Sequence, residues 1–141
     1  CQELAKMIVR DGEGATKFVT LQVRGARNEA EALRIAEAIA RSLLVKTALF
    51  GEDANWGRIM VAIGASGVDV LAERISLSVN GIQIARGGIA VGKQAEAQAS
   101  RKLRQRDITL TVGLGLGKAE VVYYTTDLSE AYVKINAAYR T

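Results

Sequence analysis

The sequence predicts an α/β protein in which helices pack on a mixed β-sheet, an α/β sandwich formed by a single domain. Along the chain, segments with apolar residues at helical spacing are followed by segments in which every second residue is apolar. The chain has 141 residues, of which 49% are hydrophobic, and no Pro/Ser-rich linker divides it. This length and composition are enough to bury one core without disulfides or metals.

The first third of the chain predicts a helix, a strand and a second helix. Residues 1 to about 11 place apolar side chains at helical spacing. Residues 17–24 alternate in the manner of a half-buried strand. Residues 28–42 form the next helix, because Asn28 can cap its first turn and Glu31, three positions on, can complete a capping box.

The middle of the chain predicts a second strand, a helix and a hairpin. Residues 45–50 are rich in β-compatible side chains, and residues 56–65 return to helical spacing. Residues 74–85 alternate on both sides of Asn80-Gly81, the preferred pair for a two-residue type I′ turn. This turn predicts two cross-strand pairs, Val79 with Ile82 and Leu77 with Ile84.

The last third predicts a polar helix over residues 93–105 and a strand over residues 108–114. The chain then turns at residues 115–117 and returns as a partner strand over residues 121–126. The order of strands in the sheet is left open by this pattern, because hairpins give antiparallel neighbours whereas helical crossovers give parallel ones.

A final helix is predicted over residues 128–139. Asp127 and Glu130 have the spacing of a capping box at its start. Apolar and aromatic side chains continue almost to residue 141, which indicates a chain end tethered to the rest of the protein.

Composition excludes several classes of site. With no histidine and a single cysteine, the chain cannot form an internal disulfide, a Cys/His zinc site or a Ser-His-Asp triad. No apolar run approaches the roughly 18 residues of a membrane span, so a soluble, cytoplasmic protein is expected. The net charge of +4 favours anionic ligands without indicating nucleic acid.

Three local features each have a functional and a structural interpretation. Residues 113–118 contain glycines followed by a lysine, as a phosphate-binding loop does. The glycine spacing does not match that motif, however, and Ala119 stands where the motif has Ser or Thr. A hairpin turn is therefore favoured. The basic residues 101–106 lack aromatic neighbours, so a solvated helix end is favoured over a phosphate contact. Cys1 is better explained as a fragment boundary than as a nucleophile.

Glu13 lies between two glycines, in the stretch 10–17 where the helical pattern gives way to the strand pattern. Because glycine has no Cβ, such a turn lets a ligand approach the main chain closely. This favours Glu13 as a substrate-binding carboxylate. A helix that ends at Gly12 and is followed by a polar connector would show the same local sequence, so both interpretations stay open.

Residues 51–58 concentrate polar and aromatic groups between a predicted strand and a predicted helix. In one interpretation Asp53 or Asn55 caps the helix, Trp56 packs inward and Arg58 pairs with a carboxylate. In the other, this loop faces a ligand. The local sequence does not separate the two.

Taken together, residues 11–17, 51–58 and 132–141 resemble the C-terminal part of the ornithine acetyltransferase family, also called bifunctional glutamate N-acetyltransferase. The three motifs occur in the family's order and extend over the chain from end to end. In that family a precursor cuts itself before an internal threonine, which becomes the nucleophile that carries the acetyl group. The resemblance implies that residues 1–141 are the C-terminal part of the β chain.

The resemblance implies that the family's substrate-binding residues fall on Glu13, Asn136 and Thr141. The threonine-led segment that should precede residue 1 is absent, so no catalytic residue is expected in this chain, and no metal. A carboxylate can hold an amino group, whereas an amide and a hydroxyl can donate to a carboxylate. Asp53, Asn55 and Arg58 are candidates for a supporting shell.

The substrates implied by the resemblance are N-acetylornithine and glutamate, in a ping-pong acetyl transfer, with acetyl-CoA as a possible second donor and no other cofactor. The implied partners are the upstream α chain and the nucleophile-bearing segment, in a hetero-oligomer. Ala54 stands where the family often has proline, a change that affects loop stiffness more than chemistry.

Two alternatives from other classes accompany this hypothesis. The chain would be a stand-alone amino-acid-binding or regulatory module without catalysis if it bound ornithine or glutamate by itself. It would be a nucleic-acid-binding domain if the basic residues 101–106 gave salt-sensitive binding to RNA or DNA. Neither a nucleic-acid nor a membrane partner is expected from the sequence.

Overall fold

The computed structural model describes residues 16–128. Within this range one mixed sheet of six strands has the order β4-β3-β2-β5-β1-β6, which confirms the predicted α/β class. The strands are β1 (Phe18–Ala26), β2 (Ser76–Val79), β3 (Ile82–Arg86), β4 (Ile89–Ala90), β5 (Asp107–Gly113) and β6 (Ala119–Thr126). The helices are α1 (Glu29–Ala40), α2 (Leu43–Phe50), α3 (Trp56–Ala65) and α4 (Lys93–Lys102), with a short 3₁₀ turn at Ala72–Arg74.

The first strand, β1, lies inside the sheet, one position from the β6 edge. It runs parallel to β5 on one side and antiparallel to β6 on the other. Its alternation is the one predicted, because Val19, Leu21 and Val23 are fully buried while Thr20 and Gln22 on the opposite face are only half-buried. Helix α1 packs on β1 and β6, so the core lies between this helix layer and the apolar face of the sheet.

Within residues 16–128, the predicted helices and strands other than the one over residues 45–50 occur close to their expected positions. Asn28 caps α1 as predicted, since its Oδ1 accepts the Glu31 N–H at 2.8 Å. The Arg27 guanidinium donates a hydrogen bond to the Glu31 carboxylate at 3.0 Å. The predicted helices over residues 1–11 and 128–139 lie outside the described residues, apart from Leu128.

The predicted strand over residues 45–50 is wrong, because this segment forms helix α2. Ser42 caps the helix, with its hydroxyl accepting the Val45 N–H at 3.2 Å. Val45, Ala48 and Leu49 are buried, which is the i, i+3, i+4 spacing of a helix face. Burial of this face outweighs the strand preference of a short apolar run, which periodicity alone cannot separate from a helix.

The predicted hairpin is confirmed, but its register differs by one residue at the far end. Asn80 and Gly81 have φ values of 46° and 84°, as a type I′ turn requires, and Val79 pairs with Ile82 as predicted. A bulge then places Leu77 opposite Ala85, so the predicted pair with Ile84 is wrong. Where a bulge inserts its extra residue depends on tertiary packing, which the alternation of apolar and polar residues does not show.

Strands β5 and β6 are not neighbours, so the predicted partner-strand arrangement is wrong. Strand β1 lies between them. The connecting loop follows the end of β1, where the Leu116 and Gly117 N–H groups donate to the Gly25 carbonyl at 2.7 and 2.8 Å. This loop is therefore a crossover, and two of its amides are bonded to the strand rather than directed at a ligand.

Two further properties concern residues 16–128. No helix in this part of the chain has the length and apolar character needed to cross a membrane. Within the same residues, no group of three or more Asp, Glu, Cys or His side chains is placed to hold a metal ion.

The crossover predicts that Gly117→Ala destabilises the protein. An added Cβ would lie 2.5 Å from the Ala26 carbonyl oxygen, so the backbone must move. We expect the free energy of unfolding to fall by about 1–3 kcal/mol, measured by urea denaturation. Gly64→Ala is the control, because its Cβ meets no atom within 4 Å, and there a gain of up to about 1 kcal/mol is expected. Equal effects at both sites would contradict this account of the loop.

Candidate functional site

The buried carboxylate of Asp127 joins the two ends of the described fold. Asp127 is only 3% exposed. Oδ1 accepts the Thr16 N–H at 2.8 Å and the Lys17 N–H at 3.0 Å. Oδ2 accepts the Thr16 hydroxyl. Charged acceptors bound by several donors make the stronger hydrogen bonds of proteins, so these three bonds fix the position of residues 16 and 17.

The sheet brings these residues together. Strands β1 and β6 are antiparallel, with Phe18 opposite Thr126, so the residue before β1 faces the residue after β6. The Phe18 and Tyr124 rings stack beside this point, with centroids 5.6 Å apart. Asp127 was predicted to cap a helix, and its contact with Thr16 and Lys17 was missed because the sequence does not reveal which strand pairs with β1.

The predicted binding residues Glu13, Asn136 and Thr141 lie outside the described residues, as do Cys1 and Glu130. Glu13 precedes Thr16 by three positions, and Asn136 follows Asp127 by nine. The described part of the chain therefore begins at Thr16 and ends at Leu128, and these two points adjoin at the Asp127 carboxylate.

A cleft of about 270 Å³ opens beside this junction. It lies between the end of α1, the start of α2 and residues 126–128, and Arg41 and Lys46 are among its lining residues. The walls are bonded to each other, since the Thr125 hydroxyl donates to the Ala40 carbonyl at 3.4 Å and the Leu128 N–H to the Lys46 carbonyl at 3.3 Å. The cleft is thus a feature of the packed fold.

Burial lowers the pKa of Lys46 below its usual value, and the negative charge of Asp127 opposes part of this shift. The effect of burial on this pKa therefore outweighs the effect of Asp127. Lys46 is not among the predicted site residues.

The contacts of the loop over residues 51–58 favour its structural interpretation. Asn55 caps α3, since its Oδ1 accepts the Arg58 N–H at 3.1 Å, and its Nδ2 donates to Asp53 Oδ2 at 3.1 Å. Arg58 Nη1 donates to the Leu44 carbonyl at 2.9 Å, where a carboxylate partner was predicted. Trp56 packs against the core. The loop holds α2 and α3 together.

Two neighbouring features complete this interpretation. The Ala54 N–H donates to the Ser100 hydroxyl at 3.1 Å, a bond that proline in the same place could not make. An enclosed apolar space of about 10 Å³ lies behind the loop, which is hardly enough for one water molecule. Neither feature provides room for an amino acid.

The basic residues 101–106 were predicted to form a solvated helix end. Arg101 and Lys102 are exposed in the last turn of α4, where cations interact favourably with the helix dipole. Arg104 Nε lies 3.8 Å from the Glu52 carboxylate. These observations agree with that interpretation.

Replacement of Asp127 by asparagine tests the junction. The amide oxygen can still accept the Thr16 and Lys17 N–H groups, but the negative charge is lost and the NH₂ group replaces the oxygen that accepts the Thr16 hydroxyl. We therefore expect Asp127→Asn to lower the free energy of unfolding by about 1–2 kcal/mol. Asp69→Asn, at an exposed position, should change it by less than about 0.5 kcal/mol. Thermal and urea denaturation of both variants measure this difference, and a neutral Asp127→Asn would contradict the role given to the carboxylate.

Comparison with known proteins identifies the family. The ArgJ family model matches residues 1–141. The Geobacter sulfurreducens protein named arginine biosynthesis bifunctional protein ArgJ is 54% identical over 138 residues, which are 98% of this chain and 35% of that protein. The Pseudomonas syringae protein of the same name is 48% identical over 142 residues, 100% of this chain and 35% of that protein. The chain thus spans about a third of the length of these curated relatives.

A solved structure agrees with the sequence comparison. The crystal structure of the arginine biosynthesis bifunctional protein ArgJ from Bacillus halodurans superposes with a TM-score of 0.93 at 43% sequence identity. The match covers 99% of this chain and 65% of that chain. The α/β fold predicted from the apolar pattern and the family resemblance of the three motifs are both confirmed. The chain belongs to the ArgJ family.

Proposed function

We propose that this chain is the substrate-binding, C-terminal portion of an N-acetylornithine:glutamate acetyltransferase of arginine biosynthesis. Family membership over residues 1–141 supports the activity. The observation that carries the assignment of the site is the Asp127 junction, because it connects both predicted binding segments to one end of the sheet.

The proposed reaction has two acyl-transfer steps on a threonine of the upstream segment. The threonine hydroxyl attacks the acetyl carbonyl of N-acetylornithine, the amide C–N bond breaks, and ornithine leaves with the hydroxyl proton on its amine. The amine of glutamate then attacks the acetyl-threonine ester. The ester C–O bond breaks, the proton returns to the threonine oxygen, and N-acetylglutamate is released.

The role of this chain in the proposal is to hold the amino-acid part of each substrate. Glu13 would pair with an ammonium group, whereas Asn136 and Thr141 would donate hydrogen bonds to a carboxylate. Three extended residues span at most about 11 Å, so chain connectivity limits the Cα–Cα distance between Glu13 and Thr16 to about that length.

The partners in the proposal are the α chain and the nucleophile-bearing segment, which the family produces by self-cleavage of a cytoplasmic precursor. Exposed apolar side chains on α2 and α3 agree with burial in such a larger assembly, since Leu43 and Val61 are each 66% exposed. The relatives are named bifunctional, and acetyl-CoA is the second acetyl donor that we propose to test.

The activity is tested with the full-length protein that contains this chain. We expect it to transfer acetyl from N-acetylornithine to glutamate and to retain a covalent acetyl group when glutamate is left out, as detected by intact mass. The chain of residues 1–141 alone should transfer none. If the full-length protein transfers no acetyl but the chain alone binds ornithine or glutamate in calorimetry, the alternative of a stand-alone binding module is correct.

Glu13→Gln tests the proposed ammonium contact in the full-length enzyme. Leaving a buried ammonium without its carboxylate partner costs roughly 3–5 kcal/mol, so we expect an affinity loss of about two to three decades. Steady-state kinetics with acetylornithine measure it as a raised KM. Glu73→Gln, at an exposed position, is the matched control. A Glu13→Gln enzyme with the KM and kcat of the wild type would exclude the assignment.

A further inference from the structure

The turn between β2 and β3 places an asparagine directly before an exposed glycine. An asparagine side chain loses its amide group when the backbone nitrogen of the next residue attacks the amide carbon. A side chain on that next residue hinders the attack, and glycine has none. A Cβ added at Gly81 would meet no atom of the described residues within 4 Å, so this side of the turn is also uncrowded.

The attacking group at this turn is the Gly81 nitrogen. Within residues 16–128, no backbone carbonyl or side chain accepts a hydrogen bond from the Gly81 N–H. The backbone is held in the left-handed region at both turn positions, with φ values of 46° at Asn80 and 84° at Gly81. A base in solution can therefore reach and remove the Gly81 amide proton, which makes the nitrogen a nucleophile.

The amide under attack, the Asn80 side chain, is held by the sheet. Its Oδ1 accepts the Thr109 N–H at 2.7 Å, and its Nδ2 donates to Gln105 Oε1 at 3.1 Å. The Asn80 N–H also donates to the Thr109 carbonyl at 2.8 Å, so the backbone and the side chain of Asn80 bind the same residue of β5. Ring closure onto the Gly81 nitrogen requires the amide to leave both of its partners.

We propose that Asn80 is a deamidation site, and that the folded chain slows the reaction through the side-chain bonds to Thr109 and Gln105. The inference concerns a modification of the chain itself. It is independent of the proposed acetyl transfer and of the residues that would bind substrate.

The reaction needs only water and a base. The Gly81 nitrogen loses its proton and forms a bond to Asn80 Cγ, the Cγ–Nδ2 bond breaks, and the amide nitrogen leaves as ammonia after taking up one proton. Water then opens the cyclic imide at either carbonyl. One product is aspartate at position 80, and the other is isoaspartate, in which the main chain is longer by one CH₂ group.

The two products affect the sheet differently. Aspartate keeps an oxygen that can accept the Thr109 N–H. Isoaspartate lengthens a two-residue turn that pairs Val79 with Ile82, and the register of a hairpin is set by the length of its turn. Since β2 lies between β3 and β5, the longer turn disturbs pairing inside the sheet.

The test follows deamidation of the full-length protein by mass spectrometry at mildly alkaline pH. Trypsin cuts after Arg74 and Arg86, so one peptide of residues 75–86 contains Asn80. We expect its amide to be replaced by a carboxyl group slowly in the folded protein, and much faster in guanidinium chloride. Asn28 and Asn55 are internal controls, because larger side chains follow both of them, and they should stay unchanged over the same time.

Two variants of the exposed residue Gln105 test the protection. Gln105→Leu removes the acceptor of Asn80 Nδ2, so we expect deamidation of the folded protein to become about twofold to tenfold faster, the factor that one hydrogen bond contributes. Gln105→Glu keeps an acceptor oxygen and should retain the wild-type rate. In guanidinium chloride all three proteins should react at the same rate.

Three results would overturn the proposal. The first is an Asn80 side chain that stays intact in the denatured protein, which would exclude the modification site. The second is a folded protein that reacts as fast as the denatured one, and the third is a folded Gln105→Leu variant with the wild-type rate. Either of these last two would exclude protection by the side-chain bonds.

Discussion

The buried Asp127 carboxylate holds the start of β1 against the end of β6, and the geometry of the proposed site depends on this contact. A carboxylate that is only 3% exposed is stable there because three donors from Thr16 and Lys17 satisfy its oxygens. The same contact joins two parts of the chain that are more than 100 positions apart. Segments that are distant in sequence therefore meet at one end of the sheet.

The rest of the fold makes this meeting possible. Strand β1 lies between β5 and β6, so the chain after β5 must cross the end of β1 before it can return antiparallel to it. The crossover is fastened by the Leu116 and Gly117 amides on the Gly25 carbonyl. Helix α1 covers β1 and β6 on one face, and its end forms a wall of the cleft in which Lys46 lies.

Local signals predicted most of the elements, and tertiary contacts decided the remainder. Asn28 and the Asn80-Gly81 turn have side-chain or backbone requirements that are visible in a few residues, so both were predicted correctly. Helix α2 and the β5–β6 connection depend on what packs against them, and for that reason both were predicted wrongly. Glu13, Asn136 and Thr141 were assigned from the family resemblance, and these assignments stay predictions.

We propose that the amino-acid substrate binds in a pocket at the Asp127 junction, with Glu13 near its ammonium group. A crystal structure of the full-length protein with ornithine bound tests this most directly. It should show one ornithine molecule in contact with Glu13 and Asn136, bound beside the end of β6. Ornithine bound away from the end of β6, or a Glu13 side chain directed away from the C-terminal segment, would contradict it.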